Sequence, residues 1–121
     1  MSLEKGKCKG GEKTMQLMTK GLLKEFEKQG QTDGKKPEDV KIIAKFFNPT
    51  GAGNWYATEW IPEDGVFFGY ANIGDSECAE LGYFSLEELQ TYRGKFGLGI
   101  ERDLHFHNRT LKEVLDARGT I

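Results

Sequence analysis

Glu80-Leu81-Gly82-Tyr83-Phe84-Ser85-Leu86-Glu87-Glu88-Leu89 reads as a short strand running straight into a capped helix. Ser85 and Glu88 have capping-box spacing: the serine oxygen can accept from the Glu88 N–H, and the Glu88 carboxylate can reach back to the Ser85 N–H. Phe84 just before the cap and Leu89 four residues after it are spaced as a hydrophobic staple, which fixes the angle of entry into the helix. Tyr83 and Phe84 then point to opposite faces of a sheet, because strand side chains alternate. The stretch marks the point where a sheet ends and a helical part begins.

Upstream of it the pattern is of strands and tight turns. Val40 to Phe47 is the first clear strand, with Val40, Ile42, Ala44 and Phe46 on one apolar face. Trp55 to Ile61 and Val66 to Ala71 follow. They are separated by Pro62-Glu63-Asp64-Gly65, in which Asp-Gly is a strong hairpin signal. Glu80 to Phe84 closes the series. Connections this short favour antiparallel pairing, since parallel strands need long crossovers. Before the strands, Thr19 is placed to cap a helix that carries Leu22, Leu23 and Phe26 on one side and stops at Gly30. Met15 to Met18 reads as a short edge strand. Downstream, a helix over Leu86 to Arg93 ends at Gly94, and Ile100 to Phe106 reads as extended. Thr110-Leu111-Lys112-Glu113 is a second capping box, opening a helix that Gly119 closes. The expected fold is α+β: an antiparallel meander sheet of four to five strands with three helices packed mainly on one face.

The 121 residues suit one domain, assigned to 15–121, preceded by a basic leader at 1–14 that offers little to bury. The 37% apolar and 12% aromatic content can form a core without staples. The formal charge is -2, divided into +2 over residues 1–39 and -4 over 40–121. That balance does not support nucleic acid as a partner. No run reaches the length of a membrane span, and the first thirty residues lack a signal-peptide core. Cys8 and Cys78 have no C-x-x-C context and read as free thiols in a reducing cytoplasm.

Chemistry-bearing residues are few. His105 and His107 would point the same way in an extended segment, where Asp103 could complete a mixed metal site, although H-x-H alone specifies no third ligand. Glu101-Arg102-Asp103 is the densest charge cluster of the folded part, and two carboxylates of split pKa could do acid–base work. Glu59 falls on the strand face shared by Trp55, Ala57 and Ile61, so it should either line a pocket or pair with Arg93 or Arg102. The many strand aromatics lack the basic flanks of a single-strand-binding platform. Gly51-Ala52-Gly53 and Gly97-Leu98-Gly99 lack the Lys-Ser/Thr of a phosphate-binding loop. No cofactor is called for.

Several stretches occur in a telling order: Lys45-Phe46-Phe47, Trp55-Tyr56-Ala57-Thr58-Glu59, Phe67-Phe68-Gly69, Glu80 to Leu86, and Gly97-Leu98 with Ile100 to Phe106. Together they resemble an uncharacterised family of small bacterial domains of unknown function (DUF2958-like), over roughly residues 15–115. The resemblance implies a protein of plasmids and other mobile elements, with no established activity; the cytoplasmic expectation comes from the free thiols and the lack of a signal-peptide core. Some members carry the label of single-stranded DNA endonuclease. The family pattern matches at Glu59, Glu80, Glu101, Arg102 and Asp103, which become the candidate site residues. Three functions are open: a non-enzymatic accessory domain with a protein partner, a metal-dependent nuclease using Glu59, Glu101 and Asp103, or a small-ligand binder with a Glu59-lined aromatic pocket.

Overall fold

The computed structural model describes residues 16–74 and 79–121. The leader with Cys8, and Cys78, lie outside the described residues. Five strands form one antiparallel sheet: β1 (Ala44–Phe47), β2 (Asn54–Ile61), β3 (Val66–Asn72), β4 (Glu80–Ser85) and β5 (Glu101–Arg102), in the spatial order β4-β3-β2-β1-β5. The helices are α1 (Lys20–Gln29), α2 (Leu86–Thr91) and α3 (Leu111–Asp116). The fold is therefore the expected α+β meander, with β5 added beside β1.

Each face of the sheet has its own core. On the front face, α1 and α2 cover Ala44, Phe46, Ala57 and Phe67, with Leu17, Phe26, Leu89 and Ile100 completing the cluster. Phe67 is its centre: the rings of Phe26, Phe46, Trp60 and Phe84 lie 5.6, 5.3, 4.9 and 5.5 Å from its own. On the back face, α3 brings Leu111 and Val114 against Tyr56 and Tyr70, joined by Val40 and Ile42. Two helices thus pack on one face and the third on the other.

Local signals explain the helix ends. Thr19 Oγ1 accepts from the Leu22 N–H at 3.1 Å, and Gly30 leaves α1 with φ 65. Thr110 and Glu113 form the complete reciprocal box, and the Thr110 N–H holds the Glu113 carboxyl below its usual range. Gly119, with φ 72, ends the turn after α3, and the side-chain amides of Asn54 and Asn72, cross-strand partners, both donate to its carbonyl. At α2, Ser85 Oγ accepts from the Glu88 N–H at 3.2 Å. Ser85 is itself the last residue of β4, paired with Val66. Phe84 and Leu89 both join the front core, as the staple requires.

Four expectations need correction. Residues 16–18 form no strand, and Leu17 is instead wholly buried in the front core. Val40 to Phe47 is not one strand with one apolar face. Val40 and Ile42 belong to the back core and Ala44 and Phe46 to the front. The chain hands over between faces at Ile42 and Ile43, whose N–H groups donate to Arg109 and Ala57 carbonyls respectively. Ile100 to Phe106 is extended only at Glu101–Arg102, because Asp103 Oδ1 accepts from the His105 N–H at 2.9 Å and turns the chain. Finally, α2 stops at Thr91 and Gly94 has φ -101. The left-handed residues lie further on, at Phe96 and Gly97.

Candidate functional site

The five candidate residues fall at three separate places on the sheet. Glu59 lies on β2 beyond a register shift between Ala57 and Glu59. The extra residue is Thr58, whose Oγ1 donates to the Phe68 carbonyl at 3.0 Å. The shift reverses the alternation that follows it. Trp60 takes the front-core position, and Glu59 leaves the face of Trp55 and Ala57. Its Oε1 accepts from both the N–H and the hydroxyl of Thr32, at 3.0 and 2.7 Å. The carboxylate therefore ties down the segment after α1. It also lines a cleft of about 360 Å³ beside Phe26 and Trp60.

Glu101, Arg102 and Asp103 sit on and just after β5. Arg102 pairs with Phe46 and so faces front, while Glu101 pairs with Phe47 and faces back. Asp103 is occupied locally. Its N–H donates to the Lys45 carbonyl at 2.9 Å, and its Oδ2 lies 3.6 Å from Lys45 Nζ. The lysine side chain is 13% exposed and lies over the Tyr56 and Phe106 rings, 5.7 and 5.4 Å from their centroids. Burial pushes the Tyr56 phenol up to about 12, with the Asp103 charge adding to the effect. That phenol donates to the backbone oxygen of Ile121 at 2.5 Å. The Lys45–Asp103 pair thus fastens the chain after β5 to the back of the sheet.

Glu80 stands at the far edge. Through the cross-strand partners Ala71, Trp55 and Phe46 it shares a row with Arg102, four strand spacings away. That separation is roughly 19 Å. Glu59 is two spacings from β5, about 10 Å, and further again along the strand direction. Carboxylates sharing an ion must lie within about 5 Å of one another. Glu59 is too far from Glu101 and Asp103 for that. Among the described residues, no group of three or more His, Cys, Asp or Glu side chains could hold a metal ion; His105 lies in the turn after β5 and His107 two residues beyond it, neither in a strand.

A large concavity adjoins Glu80. It has a volume of about 750 Å³, in the range of ligand-binding clefts. Trp55, Ala71 and Gly82 lie beneath it on the front face, α2 supplies Glu88 and Leu89, and the turn after β1 supplies Asn48 and Ala52. All six residues of β4 line it. Since side chains of a strand alternate between faces, lining by both parities means that the cleft wraps over the outer edge of β4. Among the described residues no strand pairs with that edge. Leu81 and Tyr83, on its back side, are 44% and 71% exposed, and Tyr83 meets Phe68 edge-on at 5.1 Å.

The hollow exists because Gly82 lacks a side chain. A Cβ built there meets no atom within 4 Å. Its cross-strand partner Gly69 is the opposite case: a Cβ would fall 1.9 Å from the Tyr56 carbonyl oxygen. Among the five candidates only Glu80 lies at this cleft. Trp55, Gly82, Glu88 and Tyr92 were missed, although a glycine inside a strand is the one sequence signal that marks such a place.

Fold and site together define a small α+β domain with a cleft along an edge strand that is unpaired among the described residues. The chain belongs to the family described as protein of unknown function (DUF2958), whose model matches residues 17–117. No curated protein and no solved structure matches it. Among the described residues, no helix is long and apolar enough to cross a membrane.

Proposed function

We propose that this protein is a non-enzymatic accessory domain that docks an extended segment of a protein partner along β4. One observation carries the reading: a cleft of about 750 Å³ follows the whole length of an edge strand whose outer side no strand pairs with among the described residues. Main-chain bonding to such an edge supplies affinity, and pockets for alternate side chains supply selectivity. Exposed, long edge strands invite pairing and are ordinarily blunted by charge or proline. Here β4 carries Leu81 and Tyr83 and only one charge, Glu80. Of the sequence candidates, Glu80 is assigned to recognition, Glu59 and Asp103 to holding the fold, and Glu101 and Arg102 to the opposite edge. A bacterial, mobile-element setting belongs to the same proposal and rests on the family resemblance, and a cytoplasmic one rests on the two cysteines read as free thiols.

The test is selection of displayed random dodecapeptides on the purified chain and on Gly82→Val, which fills the hollow. Recovery of a peptide family by the wild type alone is the expected result. Equal recovery on both proteins would sink the proposal. So would hydrolysis of single-stranded DNA, with Mg²⁺ or Mn²⁺ present, that a Glu101→Gln change abolishes.

A further inference from the structure

We infer that the segment docked on β4 is basic at its ends and apolar at its centre, with the alternating pattern Lys/Arg-x-apolar-x-Lys/Arg. The inference rests on the docking reading above and adds the chemistry of the occupant. A strand added beside β4 presents every second side chain to the front face, opposite the front-facing β4 residues. Those residues are Glu80, Gly82 and Phe84, in register with Ala71, Gly69 and Phe67.

Each of the three positions asks for a different side chain. Opposite Gly82 the occupant meets the open hollow, bordered by Trp55, Leu89 and Ile100. A leucine or an aromatic ring fills that space and removes apolar surface from water. Opposite Glu80 it meets a carboxylate at one end of the cleft. Past Phe84 it meets Glu88, whose N–H bonds Ser85 Oγ at the end of β4. From Glu80 to Ser85 the strand runs about 16 Å, so the two carboxylates stand at opposite ends of the hollow.

Charge complementarity selects the sign. Among the described residues no Lys, Arg or His lines the cleft. Among the described residues neither Glu80 nor Glu88 forms an ion pair. An acidic segment would place like charges together at both ends, whereas a basic one neutralises both. The pattern is symmetric about its centre, so it fits parallel and antiparallel addition alike.

Three fluorescein-labelled peptides of equal length test this by anisotropy against the full chain. Their central residues are Lys-Thr-Phe-Thr-Lys, Glu-Thr-Phe-Thr-Glu and Lys-Thr-Gly-Thr-Lys. The first is expected to bind at least tenfold more tightly than either of the others, and to lose affinity between 50 and 500 mM salt, as on the order of a Debye length separates the charges. Glu80→Gln combined with Glu88→Gln should erase the preference for lysine while leaving the preference for phenylalanine. If the glutamate peptide binds as well as the lysine peptide, and Gly82→Val abolishes both, the inference is overturned and the docking reading stands. If no peptide binds, or Gly82→Val with an unchanged unfolding midpoint binds like wild type, both fail. Self-association of the chain that Gly82→Val abolishes, with no peptide bound, would assign the edge to a second copy and overturn the inference.

Discussion

The sheet has two edges, and they are built for opposite ends. At the β5 edge the strand is two residues long. The chain beyond it is fastened down by Asp103, which holds Lys45 and the His105 N–H together. At the β4 edge the strand is six residues long, its front hollow is unfilled at Gly82, and Leu81 and Tyr83 stand exposed behind it. Charge density in the sequence drew attention to the closed edge, where Glu101, Arg102 and Asp103 adjoin. A missing side chain marks the open one. Charged clusters often serve to close a structure, whereas a recognition surface needs room.

The sharpest way to break this contrast is through the paired glycines that connect the interior to the open edge. Gly69→Ala drives a methyl to 1.9 Å from a backbone oxygen that cannot move without opening β2. We expect a loss of at least about 3 kcal/mol, at the upper end of overpacking costs, or no folded protein. Urea unfolding measures it, and a loss below about 1 kcal/mol would show that the bulge at Thr58 is not fixed by this close approach. The next largest effect lies at the closed edge. Asp103→Ala leaves the largely buried Lys45 ammonium without its carboxylate and the His105 N–H without its acceptor. About 2 kcal/mol is expected, as for charged hydrogen bonds. Glu80→Ala at the open edge should change stability by less than about 0.5 kcal/mol. Equal losses at the two sites would remove the distinction between an edge that closes the fold and one that is free to bind.

Much of this architecture was legible because its signals are local. The capping box at Thr110, the cap at Thr19, the staple of Phe84 and Leu89 and the Asp64-Gly65 turn each depend on residues within a few positions. What was not legible depends on partners distant in sequence. Glu59 was assigned to the wrong face because the bulge at Thr58 reverses the alternation, and that bulge is matched to Gly69 on another strand. The alternation of Val40, Ile42, Ala44 and Phe46 looks continuous, yet its two halves enter different cores, since residues 40–42 pair with the 109–111 segment. The candidate site was half legible. Glu80 was singled out, but Gly82 beside it reads in sequence just like Gly69, and only the fold separates a glycine pressed against backbone from one that opens a cleft.

A further effect ties the closed edge to pH. The Tyr56 phenol is held protonated in the folded state by burial and by the nearby Asp103 charge, to about 12 against an ordinary 10.0. Between these values the unfolded chain has lost the proton and the folded one keeps it, so stability falls as pH rises through that window and levels off above it. Below pH 10 the contribution is fully present. Tyr56→Phe should remove this part of the slope while also losing the bond to Ile121. Denaturant midpoints at pH 9, 10 and 11 read the slope directly, and identical slopes in the two proteins would mean that Tyr56 ionises as freely folded as unfolded. Asp103→Ala should narrow the window from its upper end, since the negative charge contributes to raising the folded-state value.

The smallest expected change in stability carries the most functional weight. Gly82 has ordinary extended backbone, since it is absent from the residues with positive φ, and space for a Cβ on its front side. Valine suits a pleated strand and loses less conformational freedom on folding than glycine. Gly82→Val should therefore leave stability unchanged within about 0.5 kcal/mol or raise it slightly. The new methyls would occupy the hollow above Ala71 and beside Leu89, filling space that a docked side chain needs. A folding defect in this variant would mean that the hollow is tighter than its geometry indicates, and the contrast with Gly69 would collapse. Unchanged stability together with lost peptide binding would separate the two glycines completely: one is there so that the sheet can form, and the other leaves the sheet's edge something to receive.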